Sequence, residues 1–475
     1  MRAAIGLDVG TTAVKALALD DAGAVVGRAE VPLALSTPRP GWAEQEPEHW
    51  WRAAEQALAE LDVRAPAGIG LSGQMHGLVA LDSADRPIRP AILWNDGRAA
   101  AECDEIERRI GLDELIARTG NRALTGFTAP KLLWLRRHEP EAYSRIARVM
   151  LPKDYVRLRL CGEHATDLAD ASGTLLLDVA RRAWSEQVLD ALELDAAWLP
   201  RLLESPEVSA ATPAGVPVAA GAGDQAAGAL GAGVDRPGPL SIALGTSGVV
   251  FAALPEYAAD ERARVHAFCH AVPGGWHAMG VMLSAGGSLR WLRDAVAPGA
   301  GFEELVAQAA AWEPGAEGLT FLPYLAGERT PHADPGARGS FTGISLRHDR
   351  GALVRAVLEG VAYGLRDSLD LLGELGVEPR RARVSGGGAR SELWLRILAS
   401  VLELPLERPV VEEGAAYGAA LLGGVAGGVW PDVHAAVDAC VRVRGAIDPE
   451  PGWVASYAEG RQRFRALYPT LRSVA

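Results

Sequence analysis

Near the middle of the chain, Val216-Pro217-Val218-Ala219-Ala220-Gly221-Ala222-Gly223-Asp224-Gln225 runs from a β-branched apolar stretch through two glycines into an acid, and small residues continue to Gly231. The pattern predicts a strand, a tight turn in which glycine supplies positive φ, and a helix. Asp224 then stands at the mouth of a buried strand, flanked by residues too small to cover it. There its carboxylate can take a proton from a hydroxyl lying over the turn. Two other readings fit the same residues. Gly221-x-Gly223-x-x-Ala226 after a strand is a relaxed dinucleotide fingerprint, but Asp224 would place negative charge where the pyrophosphate binds, and no clear acid follows about twenty residues on. Asp224 could also open the helix as its N-cap, a role compatible with that of a base.

A second acid has a different setting. Asp8 lies inside the apolar strand Ala4-Ile5-Gly6-Leu7-Asp8-Val9, where an Asp is disfavoured, and the turn Gly10-Thr11-Thr12 follows. The amides and hydroxyls of that turn can wrap phosphate oxygens, and Asp8 is placed to hold a magnesium ion through water beside them. The plain alternative is a hairpin with a solvated Asp. Met75 and His76, after the strand end Ser72-Gly73-Gln74, form a candidate sugar-contacting lip, although a single histidine is often only a satisfied core group. Gly386 and Gly387 lie between a strand and the helix 392–402, where glycine lets the backbone approach a flat purine; an ordinary glycine-rich turn reads the same way.

These residues need a scaffold, and the chain repeats one. Strands are expected over 4–9 and 14–19, a third after Asp20-Asp21-Ala22-Gly23, a helix over 48–61, and a strand over 69–73. Leu240-Ser241-Ile242-Ala243-Leu244-Gly245-Thr246-Ser247-Gly248 then copies the opening strand and Gly-Thr turn, so Gly245 and Thr246 should face the phosphates from the other side. Val384-Ser385-Gly386 echoes Leu71-Ser72-Gly73, and the small residues 414–421 echo the helix after Asp224. Two related halves are expected, with a boundary near 235: residues 1–235 carrying the sugar lip and base, and 236–475 carrying the nucleotide contacts. Small-residue helices near the end of each half should cross closely and give a hinge. Trp94-Asn95-Asp96-Gly97-Arg98 follows a short strand and could cap the next helix or reach the pocket. Residues 132–135 and 152–156 read as mostly buried helical segments.

Composition sets the limits. A chain of 475 residues exceeds the roughly 250–300 over which one core grows, so two or more domains are expected. The net charge of −13, from 60 acids and 47 bases without long runs, argues against a nucleic-acid or anionic-membrane surface. Four scattered cysteines with no CxxC suggest neither disulfides nor a thiolate metal site and fit a reducing cytosol. The amino terminus meets Asp8 before a signal-like apolar region develops, so no export signal is expected. The charge-poor stretch 267–289 contains two histidines, a proline and glycines, and reads as buried loops and strands rather than a membrane span. No GxxxxGK[ST] loop occurs.

Taken together the motifs resemble the FGGY family of carbohydrate kinases, α/β proteins built from two actin-like (ribonuclease H-like) ATPase domains around a central cleft. The likeness is carried by Asp8-Val9-Gly10-Thr11-Thr12, Gly73-Gln74-Met75-His76-Gly77, Ile92-Leu93-Trp94-Asn95-Asp96-Gly97-Arg98, Phe127-Thr128-Ala129-Pro130-Lys131-Leu132-Leu133-Trp134 and Leu151-Pro152-Lys153-Asp154-Tyr155. Gly223-Asp224, Gly245-Thr246-Ser247-Gly248, Gly327-Glu328-Arg329-Thr330-Pro331-His332 and Gly386-Gly387-Gly388-Ala389-Arg390-Ser391 continue it over almost the whole chain. The resemblance implies ATP and Mg2+ as cofactors and a ketopentose, D-xylulose first, as phosphoryl acceptor. It implies Asp224 as base, Asp8, Thr11 and Thr12 as metal and phosphate contacts, Met75, His76 and Asp224 as sugar contacts, and Gly245, Thr246, Gly386 and Gly387 as nucleotide contacts. Gln225 stands where members often have Asn. A chaperone-like ATP clamp would need a peptide-binding domain, for which no chain remains, and a sugar-sensing regulator would need a DNA-binding helix-turn-helix, of which there is no sign. Monomer and homodimer both stay open.

Overall fold

In the computed structural model, which describes residues 2–472, the opening meander forms as expected: β1 (Ala4–Val9), β2 (Ala13–Leu19) and β3 (Val25–Pro32) pair antiparallel in sequence order. Helix α1 (Pro47–Leu61) follows, and β4 (Gly68–Gly73) lies parallel to β1. Alternation along β1 assigns its faces. Ile5, Leu7 and Val9 join the core that holds Trp50, Ala54 and Ala57 of α1, whereas Ala4 belongs to the cluster on the other face. Later in this half come α2 (Pro152–Cys161), the short α3 (Leu168–Ser172), β5 (Val208–Ala211), β6 (Pro217–Ala219), β7 (Ala222–Gly223) and α4 (Asp224–Gly231). The sheet order is β5-β6-β4-β1-β2-β3, with β7 also paired to β4. The antiparallel meander within it rules out the doubly wound parallel sheet that a dinucleotide fingerprint requires.

The second half repeats the plan. Its sheet comprises β8 (Pro239–Leu244), β9 (Gly248–Leu254), β10 (His266–Cys269), β11 (Trp276–Met282), β12 (Arg381–Ser385), β13 (Leu406–Pro409) and β14 (Val443–Ile447), in the order β10-β11-β9-β8-β12-β13-β14. From β8 outward, β9 and β11 are antiparallel neighbours on one side, and β12, β13 and antiparallel β14 lie on the other. That is the arrangement of β2, β3, β4, β6 and β5 about β1, so β10 is the addition. Helices α5 (Arg350–Glu374) and α6 (Glu392–Leu402) share the core of this half with β8, β9 and β12. The two mixed sheets with their helices form the expected actin-like architecture.

One helix departs from a simple division at residue 235. After β13, α7 (Gly414–Ala426) leaves the second sheet and packs on β1 and β4 of the first, and on α4. Glycine makes this possible. A Cβ at Gly70 would stand 1.9 Å from the Ala419 carbonyl oxygen, and one at Gly418 would stand 1.9 Å from that of Ala227. The expected crossing of two small-residue helices is therefore present, and its partner surface includes the strands that carry Asp8 and Ser72. No described helix is long and apolar enough to cross a membrane.

Candidate functional site

Asp224 is the first residue of α4, and the turn before it uses its glycines for two different reasons. Gly221 has φ +90°, and a Cβ there would meet the Leu71 carbonyl oxygen at 2.4 Å. Gly223 has φ −60°; it must be glycine because a Cβ would stand 2.7 Å from Met75 Cγ. The expectation that both glycines supply positive φ holds only for Gly221. The helix-cap reading of Asp224 also fails: Gly223 occupies the cap position, and no side chain caps the helix. The carboxylate is half-buried, with Gln225 Nε2 at 3.3 Å from its Oδ1. Burial above all, and then the neighbouring Asp8 charge, raises its pKa to about 7. A carboxylate poised there accepts a proton near neutral pH more readily than a solvated Asp does.

The two acids share a cavity of about 300 Å³, together with Ser385, Gly386 and the amino-terminal residues Gly414 and Ala415 of α7. Asp8 lies opposite Ser72 on β4 and Lys15 on β2, so the plain hairpin with a solvated Asp does not describe it. Ser72 Oγ donates to Asp8 Oδ1 at 2.8 Å. Burial pushes the Asp8 pKa up against that hydrogen bond and the Lys15 charge. Its Oδ2 accepts no hydrogen bond among the described residues and faces the Gly10 turn, 4.0 Å from where a Gly10 Cβ would be. A half-buried carboxylate with one oxygen spare beside a phosphate-type turn fits a divalent cation bridged through water. No described group of three or more His, Cys, Asp or Glu side chains could hold a metal alone, so such an ion would take its remaining ligands from water and phosphate. The repeat is broken at this point, because the residue of β8 two places before Gly245 is Ala243. At this strand position only the first half supplies an acid, although Glu412 of the second half also lines the cavity.

Both Gly-Thr turns are closed by the glycine amide, the first over three residues and the second over two. Gly10 N–H donates to the Ala13 carbonyl at 3.0 Å, and Gly245 N–H donates to that of Ser247 at 3.1 Å. The amides of Thr11, Thr12, Thr246 and Ser247 donate to no acceptor among the described residues, leaving four donors for an anion. The Thr11 hydroxyl is engaged: it donates to Gln74 Oε1 at 3.1 Å and accepts from Trp94 Nε1 at 3.1 Å, while Gln45 Nε2 holds the Thr11 carbonyl at 2.7 Å. Thr12 and Thr246 are exposed. Trp94 thus reaches the phosphate turn, whereas Asp96 caps nothing in the following helix. Its carboxylate accepts from the Ala43 amide at 2.6 Å and pairs with Arg98.

Beside the second turn lies a cavity of about 830 Å³, bounded by Gly245, Thr246, Leu289, Gly387, Arg390 and Trp394 among others. Gly386 has φ +87°, and a Cβ there would meet the Leu244 carbonyl oxygen at 2.7 Å. Gly387 has open space, with nothing within 4 Å of a would-be Cβ. The first glycine is required by the fold; the second leaves room for a flat ligand. A further cavity of about 670 Å³, bounded by residues such as Arg236, Arg380 and Arg381, contains none of these groups.

Met75 is buried against Gly223, directly under the Asp224 turn. His76, with φ +69°, is half-buried and packs edge-on against Phe127 at 4.8 Å. Its Nδ1 lies 2.7 Å from the Gly173 carbonyl oxygen and so carries the proton. Burial holds its pKa down to about 3 despite that bond, so the ring is neutral and Nε2 is a free acceptor. His76 is therefore more than a satisfied core group. Sequence reasoning missed Gly173, which must be glycine because a Cβ would stand 2.4 Å from His76 Nδ1, and the Gln45–Gln74 pair that clamps the first turn. It also missed the buried charges Asp167 and Asp170, and it placed Lys153 and Asp154 on a mostly buried helix without giving them a role. The signal was present in Lys153-Asp154 with Arg157 three residues on, a density of charge at odds with a buried helix.

The model of the FGGY family of carbohydrate kinases, N-terminal domain, matches residues 3–231, and that of the C-terminal domain matches 240–427. The chain is 46% identical over 413 residues to the xylulose kinase of Escherichia coli (strain K12), covering 84% of each chain. It is 39% identical over 489 residues to that of Lactococcus lactis subsp. lactis (strain IL1403), covering 99% and 97%. Among solved structures it is similar to a xyloylose kinase from Brucella ovis, with TM-score 0.95, 42% identity and full coverage of both chains.

Proposed function

Because the chain belongs to the FGGY family of carbohydrate kinases, we propose that it transfers the γ-phosphoryl group of ATP to the terminal hydroxyl of D-xylulose, giving D-xylulose 5-phosphate and ADP. The observation that carries this reading is the pair Asp8 and Asp224 on one cavity, flanked by two turns with unengaged amides. Asp224 accepts the hydroxyl proton as that oxygen attacks the γ-phosphorus and the bond to the β-phosphate bridging oxygen breaks. In a loose transition state the proton leaves late, so the carboxylate orients the hydroxyl as much as it removes its proton. The amides of Thr11 and Thr12 on one side, and of Thr246 and Ser247 on the other, are assigned to the phosphates, with Gly245 closing the second turn beside them. Gly386 and Gly387 are assigned to the purine.

The cation we assign to Asp8 is Mg2+; when bound, it offsets the negative charge that develops on the transferring group. Met75 shapes the apolar side of the sugar pocket, and His76 Nε2 accepts a hydrogen bond from a sugar hydroxyl. The sugar contacts and the base lie on residues 1–235 and the nucleotide contacts mostly on 236–475, so the nucleotide bridges the halves and meets the sugar between them. The cytosol is the compartment proposed, where the four unpaired cysteines stay reduced. The test is a coupled assay of ADP release with a panel of ketopentoses and polyols. D-xylulose is expected to give the highest kcat/KM; a higher value with L-ribulose, glycerol or xylitol overturns the assignment of the sugar.

A further inference from the structure

We infer that the buried ionic cluster centred on Lys153 is a positioning element that fixes Asp224 and His76 relative to one another; this rests on the reading of those two residues as sugar contacts. Lys153 Nζ stands 2.6 Å from Asp154 Oδ1, 2.7 Å from Asp167 Oδ2 and 3.2 Å from Asp170 Oδ2, and Arg157 Nη2 stands 2.9 Å from Asp154 Oδ1. All five side chains are fully buried. Burying such a group costs more than filling the same volume with apolar side chains, so stability alone is a poor account of it. What it supplies is geometry.

Two short paths lead from the cluster to the sugar wall. Through Arg157, whose Nη1 donates to the Ala220 carbonyl at 2.5 Å, it holds the root of the turn that ends in Asp224. Through Asp167 it holds α3: Asp167 Oδ1 caps that helix by accepting the Asp170 amide at 2.9 Å, and the chain leaving α3 presents the Gly173 carbonyl that fixes the His76 ring. The cluster also touches the strand between them, since a Cβ at Gly73 would stand 3.1 Å from Lys153 Cβ. Met75 closes the arrangement, its Cε 3.2 Å from the would-be Cβ of both Gly173 and Gly223.

Three carboxylates against two cations leave one negative charge over. The Asp170 carboxyl makes only the longest of the Lys153 contacts, and neither of its oxygens has a hydrogen-bond partner. Burial above all pushes its pKa well above the usual range against the Lys153 charge, and the neighbouring carboxylates add to the rise.

The test compares Lys153→Met, which removes the centre, with Asp167→Asn, which keeps the helix cap while removing the Lys153–Asp167 ion pair. Asp167→Asn therefore carries the test if the Lys153 variant does not fold. Misplacing a group that contacts the substrate costs up to about 10²-fold, so the sugar KM or kcat/KM is expected to worsen by about 10–10²-fold with the ATP KM within about twofold. Lys153→Arg, which keeps the charge, should recover part of the loss. By ¹⁵N NMR, His76 should be Nδ1-protonated in the wild type and a tautomer mixture in the variants. Folded variants with wild-type sugar kinetics and an unchanged His76 tautomer overturn the inference, as does an equal loss for sugar and ATP. Should the wild type turn over no sugar at all, the functional reading fails, and the tautomer measurement still decides on the cluster.

Discussion

Asp224→Asn separates chemistry from folding, because the structure predicts opposite signs for the two. Burial and the Asp8 charge raise the Asp224 carboxyl from an ordinary 3.8 to about 7. At 1.36 kcal/mol for each tenfold in proton affinity, that is an upper limit of about 4 kcal/mol; partial exposure and screening reduce it to about 1–2 kcal/mol. The folded state binds this proton more tightly than the unfolded chain does. Ionisation therefore costs nothing below about pH 4, a growing amount up to about pH 7, and the full amount above that. The Asn variant has no charge to bury. As metal-free apoenzyme it should melt about 2–5 °C higher than the wild type near pH 8, at a few degrees for each kcal/mol, with the difference vanishing near pH 4. Its kcat should nevertheless fall on the order of 10²–10⁴-fold, the usual loss of a general base. The assays are thermal unfolding over this pH range, steady-state kcat, and calorimetric sugar binding to establish that the pocket is intact. A kcat within about tenfold of wild type, below the general-base range, together with no pH-dependent gain in melting temperature, would refute both the role and the burial argument behind it.

Four further outcomes follow from the same geometry. In the wild type, kcat/KM should drop as pH falls through about 7, with the slope of a single ionisation, as Asp224 takes up a proton; a flat profile down to about pH 5 would assign the base elsewhere. Asp8→Ala should abolish Mg2+-dependent turnover while circular dichroism shows an intact fold, and near-normal activity would remove Asp8 from the site. Gly386→Ala should lower stability by about 1–3 kcal/mol, because it combines positive φ with a carbonyl contact, whereas Gly387→Leu should raise the ATP KM without moving the melting temperature. An unchanged ATP KM would take the purine off Gly387. Sugar and nucleotide together should compact the enzyme, since the γ-phosphoryl group must be shielded from water; equal radii of gyration by small-angle scattering, with and without both ligands, would count against closure.

The sequence by itself determined the elements and most of the chemistry, because both are local. Alternation in Ala4–Val9 and glycine-threonine turns at two places are enough to predict strand, turn and strand, and a carboxylate at a strand end before such a turn is visible as an anomaly. The repetition of Gly10-Thr11 in Gly245-Thr246 made two halves legible for the same reason. Tertiary structure decided what depends on approach between distant residues. Gly223 reads as a turn glycine in the sequence and Gly173 carries no signal there, yet the smallness of both is required by Met75 and His76, which follow a different strand. Helix α7 belongs by sequence to the second half, yet it lies on the first sheet, because glycines at 70 and 418 remove the side chains that would keep its backbone away. Asp224 stands in the sequence as a lone acid; only the fold brings Asp8 beside it and withdraws both from water, and that burial raises the proton affinity of each, with the Asp8 charge adding to the rise at Asp224.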